Sequence, residues 1–145
     1  MKKIPVCCID VEGETFVNPQ DLYYDSVAGC IFFSGLKTDT FCSAIGSYKF
    51  ANDSLLIKKL SDYRVFVDLC SRTAGGEKTT LYIGDFMSGI DSLMWPSLDN
   101  QKQIAVGETG FPRISPDGKS LAWMEMDRPD YHKYKLVVFK LIFLS

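Results

Sequence analysis

Apolar and polar positions along this chain alternate with a period of two far more often than with the helical period. The runs are short and separated by turn residues. Ile4 to Val11 comes first, then Asp21 to Asp25 and Cys30 to Ser34, split by Ser26 to Gly29. Ala44 to Phe50, Leu55 to Leu60 and Tyr63 to Cys70 follow. Thr79 to Phe86 is reached through Thr73-Ala74-Gly75-Gly76-Glu77-Lys78, a hairpin loop by composition. Lys102 to Val106, Phe111 to Ile114, Ser120 to Met126 and Tyr134 to Leu144 complete the set. The best helical stretch, Ser54 to Leu60, is short. About ten strands at this spacing predict an all-β protein.

Several of these strands are apolar on both faces. Val65, Val67 and Leu69 oppose Arg64, Phe66, Asp68 and Cys70; Leu121 and Trp123 oppose Ala122, Met124 and Met126. A strand buried on both sides suits a sheet stacked between two others, as in a β-propeller; a sandwich gives cleaner polar-out alternation. A weak repeat agrees with this: the turns Ser26–Gly29, Ser61-Asp62 and Ser115–Gly118 each precede a strand, at intervals near the size of a four-stranded blade.

The strongest local motif is Phe111-Pro112-Arg113-Ile114-Ser115-Pro116-Asp117-Gly118-Lys119-Ser120-Leu121-Ala122-Trp123. Pro116 presets φ at the second position of a tight turn, Asp117 accepts hydrogen bonds from nearby N–H groups, Gly118 tolerates positive φ, and Lys119 opens the outgoing strand. The segment, with Pro112, Ser115 and Trp123 as its other marker residues, resembles the TolB-like propeller repeat. From Gly75 to Leu141 the order of strands, continued by Asp127 and Pro129, is similar to the non-catalytic N-terminal propeller domain of the prolyl oligopeptidase family, in its acylaminoacyl-peptidase and dipeptidyl-aminopeptidase-like branch. That branch continues with Pro-Trp-Asp where this chain has Asp130-Tyr131-His132-Lys133. The resemblance implies antiparallel four-stranded blades in a propeller that gates a separate hydrolase. It covers the second half of the chain well and is merely compatible with the first.

The expected organisation is one partial propeller domain over 1–145, with about three blades at roughly 1–50, 51–100 and 101–145. Closed propellers typically have four or more blades. Ile4 to Val11 reads as a blade's last strand, and Tyr134 to Leu144 as a strand whose partner is missing.

Composition changes this picture little. The 145 residues are 46% hydrophobic and 23% charged, as in a globular domain with a core. A net charge of −2 speaks against a nucleic-acid partner. No apolar run approaches a membrane span; the longest, Leu136 to Leu144, is interrupted by Lys140. Met1-Lys2-Lys3 precedes too short an apolar run for a signal peptide. The five cysteines (Cys7, Cys8, Cys30, Cys42, Cys70) are irregularly spaced and read as reduced core residues of a cytoplasmic protein, with Cys7 and Cys8 facing opposite ways.

Candidate chemistry is sparse. The one histidine, His132, lies in a polar stretch and reads as exposed. Asp10, Glu12 and Glu14, and Asp127 with Asp130, lack calcium-loop spacing. Gly75-Gly76 before Lys78 is not a phosphate loop, and the chain has no Gly-x-Ser-x-Gly nucleophile elbow. The expectation is therefore no enzyme, no cofactor and no metal, but a protein-binding module that completes its fold by self-association or with a partner chain. The alternative is the substrate-gating fragment of a prolyl-oligopeptidase-type serine peptidase lacking its hydrolase domain.

Overall fold

The computed structural model describes residues 9–11, 14–37, 42–62, 67–74, 78–85, 88–126 and 133–141. Among them the chain is all-β: twelve strands, every given pairing antiparallel, and no helix. The strands form three sheets, and within each sheet every strand lies beside its neighbour in sequence. The chain divides into two compact units, Met1–Val67 and Asp68–Ser145.

The first unit carries a five-stranded meander. Its strands are β1 (Ile9–Val11), β2 (Glu14–Asp25), β3 (Cys30–Lys37), β4 (Ser43–Lys49) and β5 (Ser54–Ser61). The turn between β2 and β3 falls on Ser26–Gly29, as its composition predicts. The Val27 and Ala28 N–H groups donate to Asp25 Oδ1 at 3.0 and 2.9 Å, and Gly29 takes φ +64°. β4, between β3 and β5, is buried on both faces from Ser43 to Tyr48. Gly46 there lies beneath the Phe33 ring of β3, with no room for a Cβ. β2 is longer than its apolar pattern predicts. It extends back to Glu14 through a register break between Val17 and Asp21, and Pro19 sits in the break, where its missing N–H costs no ladder bond.

The stretch Ser54 to Leu60, the best helical pattern in the chain, is strand β5 paired along β4. A seven-residue apolar pattern carries too little period to decide its own conformation, and β4 offers a complete ladder. The first sheet ends with β5, at Ser61.

The second unit holds two sheets. One is four-stranded, β6 (Val67–Ala74), β7 (Lys78–Asp85), β8 (Gly89–Trp95) and β9 (Lys102–Ala105). The other is three-stranded, β10 (Thr109–Ile114), β11 (Ser120–Met126) and β12 (Tyr134–Lys140). β10 lies against β7 and β8. Leu69, Cys70, Leu81, Ile90, Pro112 and Leu121 are fully buried. Each such aliphatic side chain contributes roughly 1.5–3 kcal/mol relative to exposure.

β8 is absent from the sequence reading. Gly89-Ile90-Asp91-Ser92-Leu93-Met94-Trp95 has neither clean alternation nor a β-branched run. It is a strand because β7 and β9 flank it and bury it. β6 and β7 also take in Thr73, Ala74 and Lys78 from the predicted hairpin loop. Among the described residues no helix is long and apolar enough to cross a membrane.

Candidate functional site

The marker residues of the Phe111–Trp123 motif serve two ends: a turn, and a clasp between the two sheets of the second unit. In the turn, the Gly118 N–H donates to the Ser115 carbonyl at 2.9 Å, and Gly118 adopts φ +70°. Asp117 Oδ1 accepts from the Ser115 hydroxyl and from the Lys119 N–H at 3.0 Å. The Ser120 N–H donates to Ser115 Oγ at 3.0 Å. These hydrogen bonds, first from the Ser115 hydroxyl and then from the Lys119 N–H, hold the Asp117 carboxyl below its ordinary value of 3.8. Pro116 lies within the turn, exposed. Lys119 stays in the turn as well, and the outgoing strand starts one residue later, at Ser120.

The clasp is made by β10. Phe111 takes φ +55° inside a register break between Gly110 and Arg113, and its N–H donates to Asp68 Oδ2 of β6 at 3.1 Å. The break rotates Pro112 inward, where it is fully buried beside Gly84 of β7. A Cβ on Gly84 would sit 3.0 Å from Pro112 Cδ and 3.1 Å from Ile90 Cδ1. Arg113 Nη1 donates to the Leu69 carbonyl at 3.2 Å and to the Pro112 carbonyl at 2.7 Å. Arg72 Nε of β6 donates to the Gly118 carbonyl at 3.1 Å, tying the turn itself to the neighbouring sheet. Trp123 is buried; its Nε1–H donates to Glu125 Oε1 at 3.0 Å, and its ring meets Phe139 at 6.2 Å. The structure thus brings Pro112, Arg113 and the turn together with Asp68, Arg72 and Gly84. The last three carry no local sequence signal, because their role lies in a sheet formed some 30 to 45 residues earlier.

The other face of the third sheet has a different character. Strand alternation and the register of β11 with β12 place Ala122, Met124 and Met126 beside Val138, Leu136 and Tyr134. On β12 these are exposed: Leu136 by 65%, Val138 by 58% and Tyr134 by 54%. Trp123 and Leu121, on the opposite face, are buried. The two-sided apolar pattern of β11 is therefore met by burial on one side and by half-exposure on the other. β12 is also an outer strand: β11 flanks it, and no described strand lies on its other edge. A row of backbone donors and acceptors beside an apolar face is suited to taking up a further strand.

No cluster of three or more His, Cys, Asp or Glu side chains suited to a metal occurs among the described residues. Cys30, Cys42 and Cys70 are buried free thiols. Burial pushes the Cys30 thiol up, with Lys49 opposing and Asp25 assisting. Burial likewise raises Tyr82, against the pull of Arg72. Cys7, Cys8, His132, Asp127 and Asp130 lie outside the described residues.

Comparison with protein-family models, with curated proteins and with solved structures finds no match.

Proposed function

We propose that this chain is a non-enzymatic interaction module whose sheets are blades of a partial, TolB-like β-propeller, and that it completes its fold with protein from outside the chain. Support for the blade reading comes from two antiparallel meanders stacked through β10, and from the motif that joins them using Pro112, Arg113 and the Ser115–Gly118 turn. The observation that carries the function is the third sheet: no described strand pairs with the outer edge of β12, and its outer face presents Leu136, Val138 and Tyr134 to solvent. Apolar surface beside an unpaired strand edge is a binding surface when covered and an aggregation site when not.

Size-exclusion chromatography with light scattering tests this reading. The expected result is a defined species heavier than the 16.3 kDa chain, either a self-assembly or a complex with a co-purifying protein. A folded protein that stays monomeric and alone at tens of micromolar overturns it.

A further inference from the structure

Among the aspartates of the chain only Asp117 is followed by glycine, and no asparagine is. That dipeptide carries a chemistry of its own. The glycine nitrogen can attack the aspartate Cγ, and with no Cβ on the glycine nothing crowds the approach. The C–N bond forms as the carboxyl hydroxyl and the amide proton leave together as one water, and the product is a cyclic imide. Water then opens the ring. Attack at the side-chain carbonyl regenerates aspartate; attack at the main-chain carbonyl leaves the chain running through Cβ, as isoaspartate. One water is lost and one regained, and no electron is transferred.

We propose that Asp117–Gly118 is a latent site of this rearrangement, and that the turn Ser115–Gly118 holds it unreactive in the folded protein. Both reacting groups are already engaged. The nucleophile is committed, because the Gly118 N–H donates to the Ser115 carbonyl at 2.9 Å. The electrophile is fixed as well: Asp117 Oδ1 accepts from the Ser115 hydroxyl at 2.5 Å and from the Lys119 N–H at 3.0 Å. Ring closure needs a neutral carboxyl with a hydroxyl to lose. Those hydrogen bonds, Ser115's first, and then the charges of Lys119 and Lys140 favour the ionised form and hold the group below its ordinary value of 3.8.

The backbone on either side is pinned too. The Ser115 N–H donates to the Ser120 carbonyl at 2.9 Å, and Arg72 Nε donates to the Gly118 carbonyl at 3.1 Å. To cyclise, Asp117 must turn about its Cα–C and Cα–Cβ bonds until the Gly118 nitrogen faces Cγ. The first rotation pulls the Gly118 N–H off Ser115, and the second pulls Oδ1 off its donors. Asp117 itself is exposed, so fixed geometry rather than burial supplies the protection. Isoaspartate would also insert an extra carbon into the main chain of the turn that Arg72 ties to the second sheet. A chain that rearranges while unfolded thus returns to a clasp it can no longer close in the same way.

The test ages the full chain at neutral pH, folded in buffer and unfolded in guanidinium chloride. It follows the tryptic peptide Ile114–Lys119, which cleavage after Arg113 and Lys119 releases. The aspartyl and isoaspartyl forms have equal mass and separate on reversed-phase chromatography; the imide is lighter by one water. The folded chain is expected to isomerise at least about tenfold more slowly than the unfolded one, because it reacts only when the turn opens. Ser115→Ala removes a donor to Asp117 and is expected to raise the folded-state rate by about three- to tenfold without changing the unfolded-state rate. Ser115→Thr keeps the hydroxyl and should age like the parent. Circular dichroism confirms folding; if Ser115→Ala does not fold, Arg72→Ala, which releases the Gly118 carbonyl, takes its place and is expected to shift the rate in the same direction. Equal rates in the folded and unfolded chain overturn the proposal, as does an unfolded chain that yields no isoaspartate. A folded Ser115→Ala that ages no faster than the parent overturns the assignment of the protection to this turn.

Discussion

Glycine 84 shows how much one missing methyl group contributes to this molecule. Pro112 and Ile90 occupy the space that its Cβ would need, at 3.0 and 3.1 Å. Both neighbours are buried, and Pro112 is locked by its own ring, so neither yields easily. Gly84→Ala is expected to destabilise by about 1–3 kcal/mol through overpacking, measured by urea unfolding. Gly118 tests backbone strain instead of space: at φ +70°, Gly118→Ala is expected to cost about 1–2 kcal/mol. Asp117, nearby in the same turn, makes a prediction in pH. Its carboxyl is held below the ordinary value of 3.8, so its stabilising contribution is complete above that value and is lost as pH falls through the depressed one. Thermal melts of the parent and Asp117→Ala should therefore differ at neutral pH and converge in acid. A gap that ignores pH would show that the charge has no part in holding the turn.

At the level of strands, the third sheet depends on the second through a few polar contacts as well as apolar burial. Arg72 reaches the Gly118 carbonyl, and Asp68 holds the Phe111 N–H. Hydrogen bonds to charged groups contribute roughly 1.5–3 kcal/mol each. Arg72→Ala should thus raise hydrogen exchange in β10 and β11 while leaving the central amides of β7 and β8 protected. Equal loss of protection in both sheets would mean that Arg72 does not act at the clasp. The sequence made the turn and the flanking strands legible, because Pro116, Asp117 and Gly118 act on the backbone next to them. It did not reveal Asp68, Arg72 or Gly84, whose partners are distant along the chain. β8 escaped for a related reason: Gly89, Asp91 and Ser92 have poor strand propensity, and only flanking strands make the segment extended. β5 was ambiguous because a short apolar run fits either period. The sheet composition, with its extra strand in the first meander, follows from pairing and could not be counted from local pattern.

For the molecule as a whole, exposed apolar surface is paired with a small net charge. A formal −2 on 145 residues gives little mutual repulsion. Leu136 and Val138 therefore govern behaviour in solution more than their number suggests. Replacing both with glutamate adds two negative charges and removes the exposed aliphatic row on β12. The double variant is expected to bind less of a hydrophobic dye such as ANS and to tolerate higher concentration before clouding. Unchanged dye binding would place the sticky surface elsewhere.

Each sheet is built wholly from strands that adjoin in sequence. Few residues separate one pairing from the next, so little loop entropy opposes each step, and folding can keep pace with synthesis. As a ribosome releases the chain, the strands of the first meander can pair with one another before those of the second unit are made. The β10 clasp, by contrast, closes onto β6 and β7 already in place. The order of translation is then also an order of assembly, and the third sheet, with the exposed face of β12, forms on a second sheet already in place.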